Sequence, residues 1–111
     1  MANTFKLVTK TGNVTTASTP ITIFTATTKT VLIGISVANL ITNSITIDLQ
    51  MDSTTAGNAS SIYIGKNLPV PSGSALNALT GKIVMDVNDV LKVTASADSS
   101  IDVALSLMEI T

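Results

Sequence analysis

The acidic side chains are the residues of this sequence that could do chemistry. Asp48 and Asp52 lie in an alternating segment, so both would point to the same side of a β-strand. Four residues of strand separate the two carboxylates by about 13 Å. A catalytic acid and base that flank one bond lie closer together than this. The spacing therefore argues against a paired acid and base.

A second acidic group could supply oxygen ligands to a calcium ion. Its members are Asp86, Asp89, Asp98 and Asp102. A calcium-binding loop carries Asp, Asn and Gly at dense, fixed spacing, which this group lacks. We expect solvated turn carboxylates at these positions, and we predict no metal and no cofactor.

The rest of the catalytic inventory is thin. The chain has no His and no Cys, which removes the usual general base, the soft metal ligands and the thiol nucleophile. Ser and Thr are abundant, but only Lys or a carboxylate could activate them. Neither a Gly-Xaa-Ser-Xaa-Gly elbow nor a phosphate-binding loop occurs. We predict that the protein is not an enzyme and has no catalytic residues.

Charge and hydropathy limit the possible partners. The formal net charge is −1, and all six cationic side chains are lysines that form no cluster. Nucleic acid is therefore not an expected partner. No apolar run approaches the roughly 20 residues that span a bilayer, and Met1 to Phe5 do not resemble a secretory signal. We expect no membrane association and a protein that stays in the cytoplasm until it is assembled.

Alternation of apolar and polar residues is the dominant pattern, and it predicts strands buried on one face. The nine predicted strands are Phe5–Thr9, Ile21–Thr25, Val31–Asn39, Ile45–Asp52, Ser61–Gly65, Ala75–Leu79, Lys82–Asp86, Val90–Ala95 and Ile101–Ile110. Eight or nine short strands at this spacing predict one antiparallel β-sandwich over residues 1–111, of jelly-roll or immunoglobulin-like type. The segment Leu68–Gly73 contains two prolines, so we expect an unpaired crossover between the sheets there.

The alternation also assigns the core-facing side of each strand. One predicted core row consists of Val31, Ile33, Ile35 and Val37. Another consists of Ile45, Ile47, Leu49 and Met51. We expect Ile35, Ile47, Val93 and Leu105 to lie in the core.

Two strands carry apolar or small residues on their second face as well. Opposite the first row lie Leu32, Gly34, Ser36 and Ala38, and the last strand carries Ala104, Met108 and Ile110 opposite its core row. Either such strands are central and covered on both faces, which is the interpretation we favour for the last strand, or the second row meets another chain. The Ser- and Thr-rich, charge-poor surface allows the same two interpretations, namely ordinary exposure or packing against copies and a lattice.

The sequence resembles a family of short structural proteins in the virions of tailed phages, particularly phages of marine bacteria. The resemblance rests on Asp89–Val103 with the ending Met108–Thr111, on Val31–Asn39 and on Lys66–Gly73, and it covers most of the chain. It implies a role in the virion, as a capsid decoration (cement) protein or as a neck, tail or fibre component. It carries no catalytic or ligand-binding residues.

From these observations we expect the protein to form a homotrimer. We expect this trimer to contact a major capsid protein or another virion protein. Neutral strand edges could pair with neighbouring chains. The alternative from another class is a carbohydrate- or receptor-binding module on a fibre. Sugar sites generally use aromatic platforms, and this chain has one Tyr, two Phe and no Trp.

Overall fold

A computed structural model describes residues 3–11, 18–79 and 81–110. Within these ranges the regular structure is entirely β, in nine strands. The strands are β1 (Asn3–Lys10), β2 (Ile21–Thr25), β3 (Thr30–Asn39), β4 (Ile45–Asp52), β5 (Ser61–Val70), β6 (Ala75–Asn77), β7 (Ile83–Met85), β8 (Val90–Ala95) and β9 (Ile101–Ile110). The all-β prediction is confirmed. The described residues contain no helix that could span a membrane.

The strands form two antiparallel sheets that pack face to face. The first sheet has the order β1-β9-β3-β6, with β7 also paired to β3, and the second has the order β2-β8-β4-β5. Apart from the β4–β5 hairpin and the step from β6 to β7, each connection passes from one sheet to the other. In the first sheet the first strand, β1, pairs with the last strand, β9. In an immunoglobulin sandwich the first strand would instead pair with the second strand, so the strand order is that of a jelly roll.

Aliphatic side chains from both sheets fill the space between them. The four residues predicted for the core, Ile35, Ile47, Val93 and Leu105, are each exposed by 1% or less, which confirms their placement. The core is completed mainly by Leu32, Val37, Leu49, Val70, Met85, Leu91, Ile101 and Leu107. Burying each side chain of this size contributes about 1.5–3 kcal/mol, so the core does not need disulfides.

One predicted core row is wrong in its first half, because β3 contains a β-bulge. Leu32 pairs with Leu107, and Gly34 pairs with the next residue of β9, Ser106. Ile33 is therefore an extra residue of β3 that has no partner of its own in the register. One extra residue moves every side chain on one side of it to the opposite face. Leu32 is consequently buried in the core, whereas Ile33 is 39% exposed on the outside.

The expectation of a wholly unpaired crossover at Leu68–Gly73 is also wrong. Leu68, Pro69 and Val70 belong to β5 and pair with β4 in register. Because β5 lies at the edge of the second sheet, a residue without an N–H donor is tolerated there. The passage to the first sheet begins only after Val70 and ends at Ala75.

Candidate functional site

The carboxylates that could have formed an acid and base pair are held separately by lysines of the second sheet. Asp48 Oδ2 lies 3.1 Å from Lys66 Nζ, and Asp48 Oδ1 accepts a hydrogen bond of 2.8 Å from the backbone N–H of Asn67. Asp52 Oδ2 lies 2.6 Å from Lys92 Nζ. Hydrogen bonding from Lys92 lowers the pKa of Asp52, so this carboxylate is held in its charged form.

The second acidic group does not come together as a unit. Asp89 is buried, accepts a hydrogen bond of 2.7 Å from Ser53 Oγ and accepts one of 2.9 Å from the backbone N–H of Asp86. Asp86 lies 3.5 Å from Lys29 Nζ. Both residues therefore brace the turn between β7 and β8. Within the described residues, no three acidic side chains are grouped so that they could hold a metal ion.

The outer face of the second sheet is polar, and we call it the polar face. Its strands place Thr22, Lys92, Gln50 and Tyr63 in one row across all four strands. Gln50 Nε2 donates to Ser61 Oγ at 2.7 Å and to Asp52 Oδ1 at 3.3 Å. Together with the two ion pairs, these bonds give the polar face a network of side chains that satisfy one another.

The outer face of the first sheet is apolar where four strands meet, and we call it the apolar face. The register aligns Phe5 of β1, Met108 of β9, Val31 of β3 and Val84 of β7 in a single row. Phe5 is 74% exposed and Val84 is 58% exposed, while the two residues between them are partly buried. Side chains directly opposite on neighbouring strands touch, so the row is one continuous apolar stripe.

Further apolar residues widen this stripe on both sides. Leu7 lies opposite Ser106 on the same face, Ile110 lies opposite Asn3, and the bulge turns Ile33 outward. Among the described strand residues, the register gives the apolar face one charged side chain, Asp102, at the far end of the sheet.

The far end of the apolar face differs in character from the stripe. Around Asp102, mostly small and polar residues, together with Lys10 at the end of β1, line a shallow cavity of about 340 Å³. The stripe itself therefore stays uncharged, and the small side chains at the far end leave a recess beside it.

The apolar face continues to an open strand edge. In the described part of the chain, β1 pairs on one side with β9 and has no strand on its other side. Most of its side chains are exposed. An edge of this kind offers unpaired N–H and C=O groups to another chain.

The two strands with an apolar or small second face lie in the middle of the first sheet, as their patterns suggested. The structure nevertheless covers only one of their faces. Ala104, Met108 and Ile110 are partly exposed on the outside, so the interpretation of β9 as covered on both sides is wrong. The sequence did not reveal the contributions of Phe5, Leu7 and Val84. Their short strands alternate, but nothing in the alternation identifies which row faces outward.

Comparison with known proteins gives the fold and little beyond it. No family model matches the chain, and no curated protein matches it. A similar solved structure comes from Bacillus endospore appendages, described as a family of disulfide-linked pili. It superposes with a TM-score of 0.51 at 13% sequence identity, over 97% of this chain and 86% of the other. At this identity the likeness supports the β-sandwich fold alone.

Proposed function

We propose that the protein is a non-enzymatic structural subunit of a phage particle, a capsid decoration protein that stabilises the head lattice. It associates with copies of itself, as a trimer, through the apolar face and the adjoining edge of β1. The single observation that carries the proposal of assembly is the exposed row Phe5, Met108, Val31 and Val84. A contiguous apolar patch of this kind on a small protein commonly marks an interaction surface.

The occupant that fits the apolar face best is a second copy of the chain. The stripe is uncharged, so two copies can meet there without placing like charges together. The bordering ion pair of Lys29 and Asp86 carries both signs, so a copy can approach it in more than one orientation. Phe5 and Leu7 supply the largest exposed apolar side chains of the face. Burying each of them contributes about 1.5–3 kcal/mol, which makes them the expected hot spots.

The assignment to a phage head comes from the sequence resemblance, and a filament is the second candidate. The resemblance includes neck, tail and fibre components as well as decoration proteins. The solved neighbour, a pilus protein, shares the β-sandwich fold. That structure is described as disulfide-linked, whereas this chain has no Cys, so disulfides cannot link its copies.

The absence of catalysis in this proposal rests on the side chains that are present. The two carboxylates of the polar face each hold a lysine, and the chain contains no His or Cys to act as base or nucleophile. We therefore propose that the protein acts by binding through its surfaces and not by catalysis.

Copy number in purified particles tests the proposed role. Quantitative mass spectrometry against the major capsid protein is expected to give several hundred copies per particle for a decoration protein. A count on the order of ten would assign the chain to the neck, tail or fibre, and absence from the particle would overturn the virion role.

Native mass spectrometry of the isolated protein is expected to show a trimer. A monomer at every concentration would overturn assembly through the apolar face.

A further inference from the structure

The structure assigns a second binding site to this protein: a groove on the polar face that binds a neutral saccharide unit. The groove has a volume of about 350 Å³, within the range of small-molecule pockets, which is about 300–1,000 Å³. Its principal lining residues are Thr46, Asp48, Gln50, Tyr63, Lys66 and Asn67. The site lies on the sheet opposite the apolar face and does not depend on the proposed assembly role.

Irregular pairing of β5 creates the groove. Ile47 pairs with Leu68 and Leu49 pairs with Gly65, so Lys66 and Asn67 together face the single residue Asp48. A second irregularity lies between Gly65 and Tyr63. Bulges re-aim side chains, and they are frequent beside binding sites.

The first bulge requires an unusual backbone. Asn67 has a φ of 54°, in the left-handed region that Asn tolerates better than most residues. This conformation directs its N–H to Asp48 and leaves its side chain exposed at the groove.

The centre of the groove is a fixed arrangement of three side chains. Asp48 holds both Lys66 and the backbone of Asn67. The Lys66 ammonium lies 4.4 Å from the centre of the Tyr63 ring. The hydrogen bond from Asp48 raises the pKa of Lys66, so its charge persists through neutral pH. Tyr63 remains 53% exposed despite this contact. The ring therefore contacts Lys66 and still offers apolar surface to a ligand.

Several polar groups around this centre have unused hydrogen-bonding capacity. The Asn67 amide and the hydroxyls of Thr46 and Thr94 make no side-chain hydrogen bond to the described part of the chain. The Gln50 amide nitrogen is engaged by Ser61 and Asp52, which fixes the group and leaves its oxygen as an acceptor. Donors and acceptors thus surround one exposed aromatic ring.

This combination favours a polyhydroxylated ligand without charge. The hydroxyls of a sugar both donate and accept hydrogen bonds, which matches amide and hydroxyl groups, and its C–H faces can pack on an aromatic ring. The two lysines near the groove are paired with two aspartates, so the local charge is balanced. An anionic ligand would have to compete with Asp48 and Asp52 for those lysines.

Titration of the ¹⁵N-labelled protein with maltose, lactose and chitobiose, followed by NMR, tests the site. At least one of these neutral disaccharides is expected to produce saturable shifts of the Asn67 and Gln50 side-chain amides, with a Kd on the order of 1 mM. Tyr63→Ala is expected to weaken this binding at least about tenfold, because it removes the ring. Tyr63→Phe is expected to retain binding, because it keeps the ring.

The matched control is Thr22→Ala, which lies on the same face away from the groove lining and is expected to bind like the parent. Each variant is checked for an unchanged amide spectrum away from its substitution, so that unfolding is not mistaken for lost binding. Failure of all three disaccharides to give saturable shifts would overturn the proposal, as would equal binding by Tyr63→Ala. Tighter, salt-sensitive binding of a glucuronate-containing disaccharide would overturn the assignment of a neutral ligand.

Discussion

The two outer faces of the sandwich are built from strands of similar alternation, yet their exposed rows have opposite chemistry. On the polar face the row across the second sheet is Thr22, Lys92, Gln50 and Tyr63. On the apolar face the corresponding row of the first sheet is Phe5, Met108, Val31 and Val84. In both sheets the inward-facing row of each strand packs in the shared core. The two sheets differ in their outward-facing rows, which are polar in one and apolar in the other.

This difference separates what folding requires from what function requires. A polar second row satisfies itself in water through ion pairs and amide bonds, as Asp48, Asp52 and Gln50 do. An exposed apolar row gains nothing in the isolated chain, because its side chains stay in contact with water until a partner covers them. On this basis we propose assembly through the first sheet and ligand binding on the second.

The largest effect is expected in the core that both faces share. Leu105→Ala should lower the free energy of unfolding by about 2–5 kcal/mol, because the deleted side chain is fully buried and leaves a cavity. Urea denaturation measures the loss. Ser106→Ala, one position along on the outside, is the control and should change stability by less than about 0.5 kcal/mol. Equal effects of the two variants would mean that the facing of β9 is wrong.

A charge in the apolar face should break assembly and spare the fold. Phe5→Glu is expected to weaken self-association by about 2–5 kcal/mol, because the carboxylate would be buried without a partner at the interface. Sedimentation equilibrium measures the change. Thr22→Glu adds the same charge to the polar face and should leave association intact. If both variants associate like the parent, the apolar face is not the interface.

A methyl group at Gly65 should disturb β5 from its core side, where Leu68 packs. Gly65→Ala is expected to cost about 1–3 kcal/mol of stability, because the new Cβ would overlap the Leu68 side chain and force it to move. Thermal unfolding and the NMR shifts of Asn67 report the change. Gly34→Ala is the control, since the space around its Cβ is open. A Gly65→Ala protein with unaltered stability and groove shifts would show that the close approach of Leu68 is unimportant.

The smallest effect is expected from acid. Hydrogen bonding from Lys92 lowers the pKa of Asp52 below its ordinary value of 3.8. Its stabilisation is therefore present above that value and is lost as the pH falls through the lowered pKa of the folded state. Asp52→Asn should remove up to about 1 kcal/mol at neutral pH, the scale of a surface ion pair. The difference from the parent should vanish once the pH is below the lowered pKa of Asp52. A difference that grew in acid would contradict this linkage.

Periodicity was sufficient to predict that nine strands form and which residues fill most of the core, but not the second half of β5. The rows of β4 and β9 lie as their alternation indicates, because one face of each strand must exclude water. The bulge at Ile33 could not be predicted in the same way. Val31–Val37 reads as unbroken alternation, and only the pairing with β9 determines where one residue is skipped.

The candidate surfaces were only partly predictable. The second rows of β3 and β9 were visible as unusual, but the apolar face also needs Phe5 and Val84, which the topology brings together from distant parts of the chain. The groove depends on the bulge that places Lys66 and Asn67 opposite Asp48. The two prolines of the next segment, Leu68–Gly73, favoured an unpaired crossover, whereas position at a sheet edge lets β5 continue through Pro69 as far as Val70.

The salt dependence of self-association tests the central claim most directly, because the two faces differ in charge. Sedimentation equilibrium is measured from about 0.05 M to about 1 M sodium chloride, a range over which exposed charges become strongly screened. The account predicts an association constant that is unchanged or rises slightly with salt, since the apolar face contributes by excluding water. An association constant that falls by tenfold or more, or particle-bound protein released by moderate salt alone, would show that charge holds the subunits together and would contradict the account.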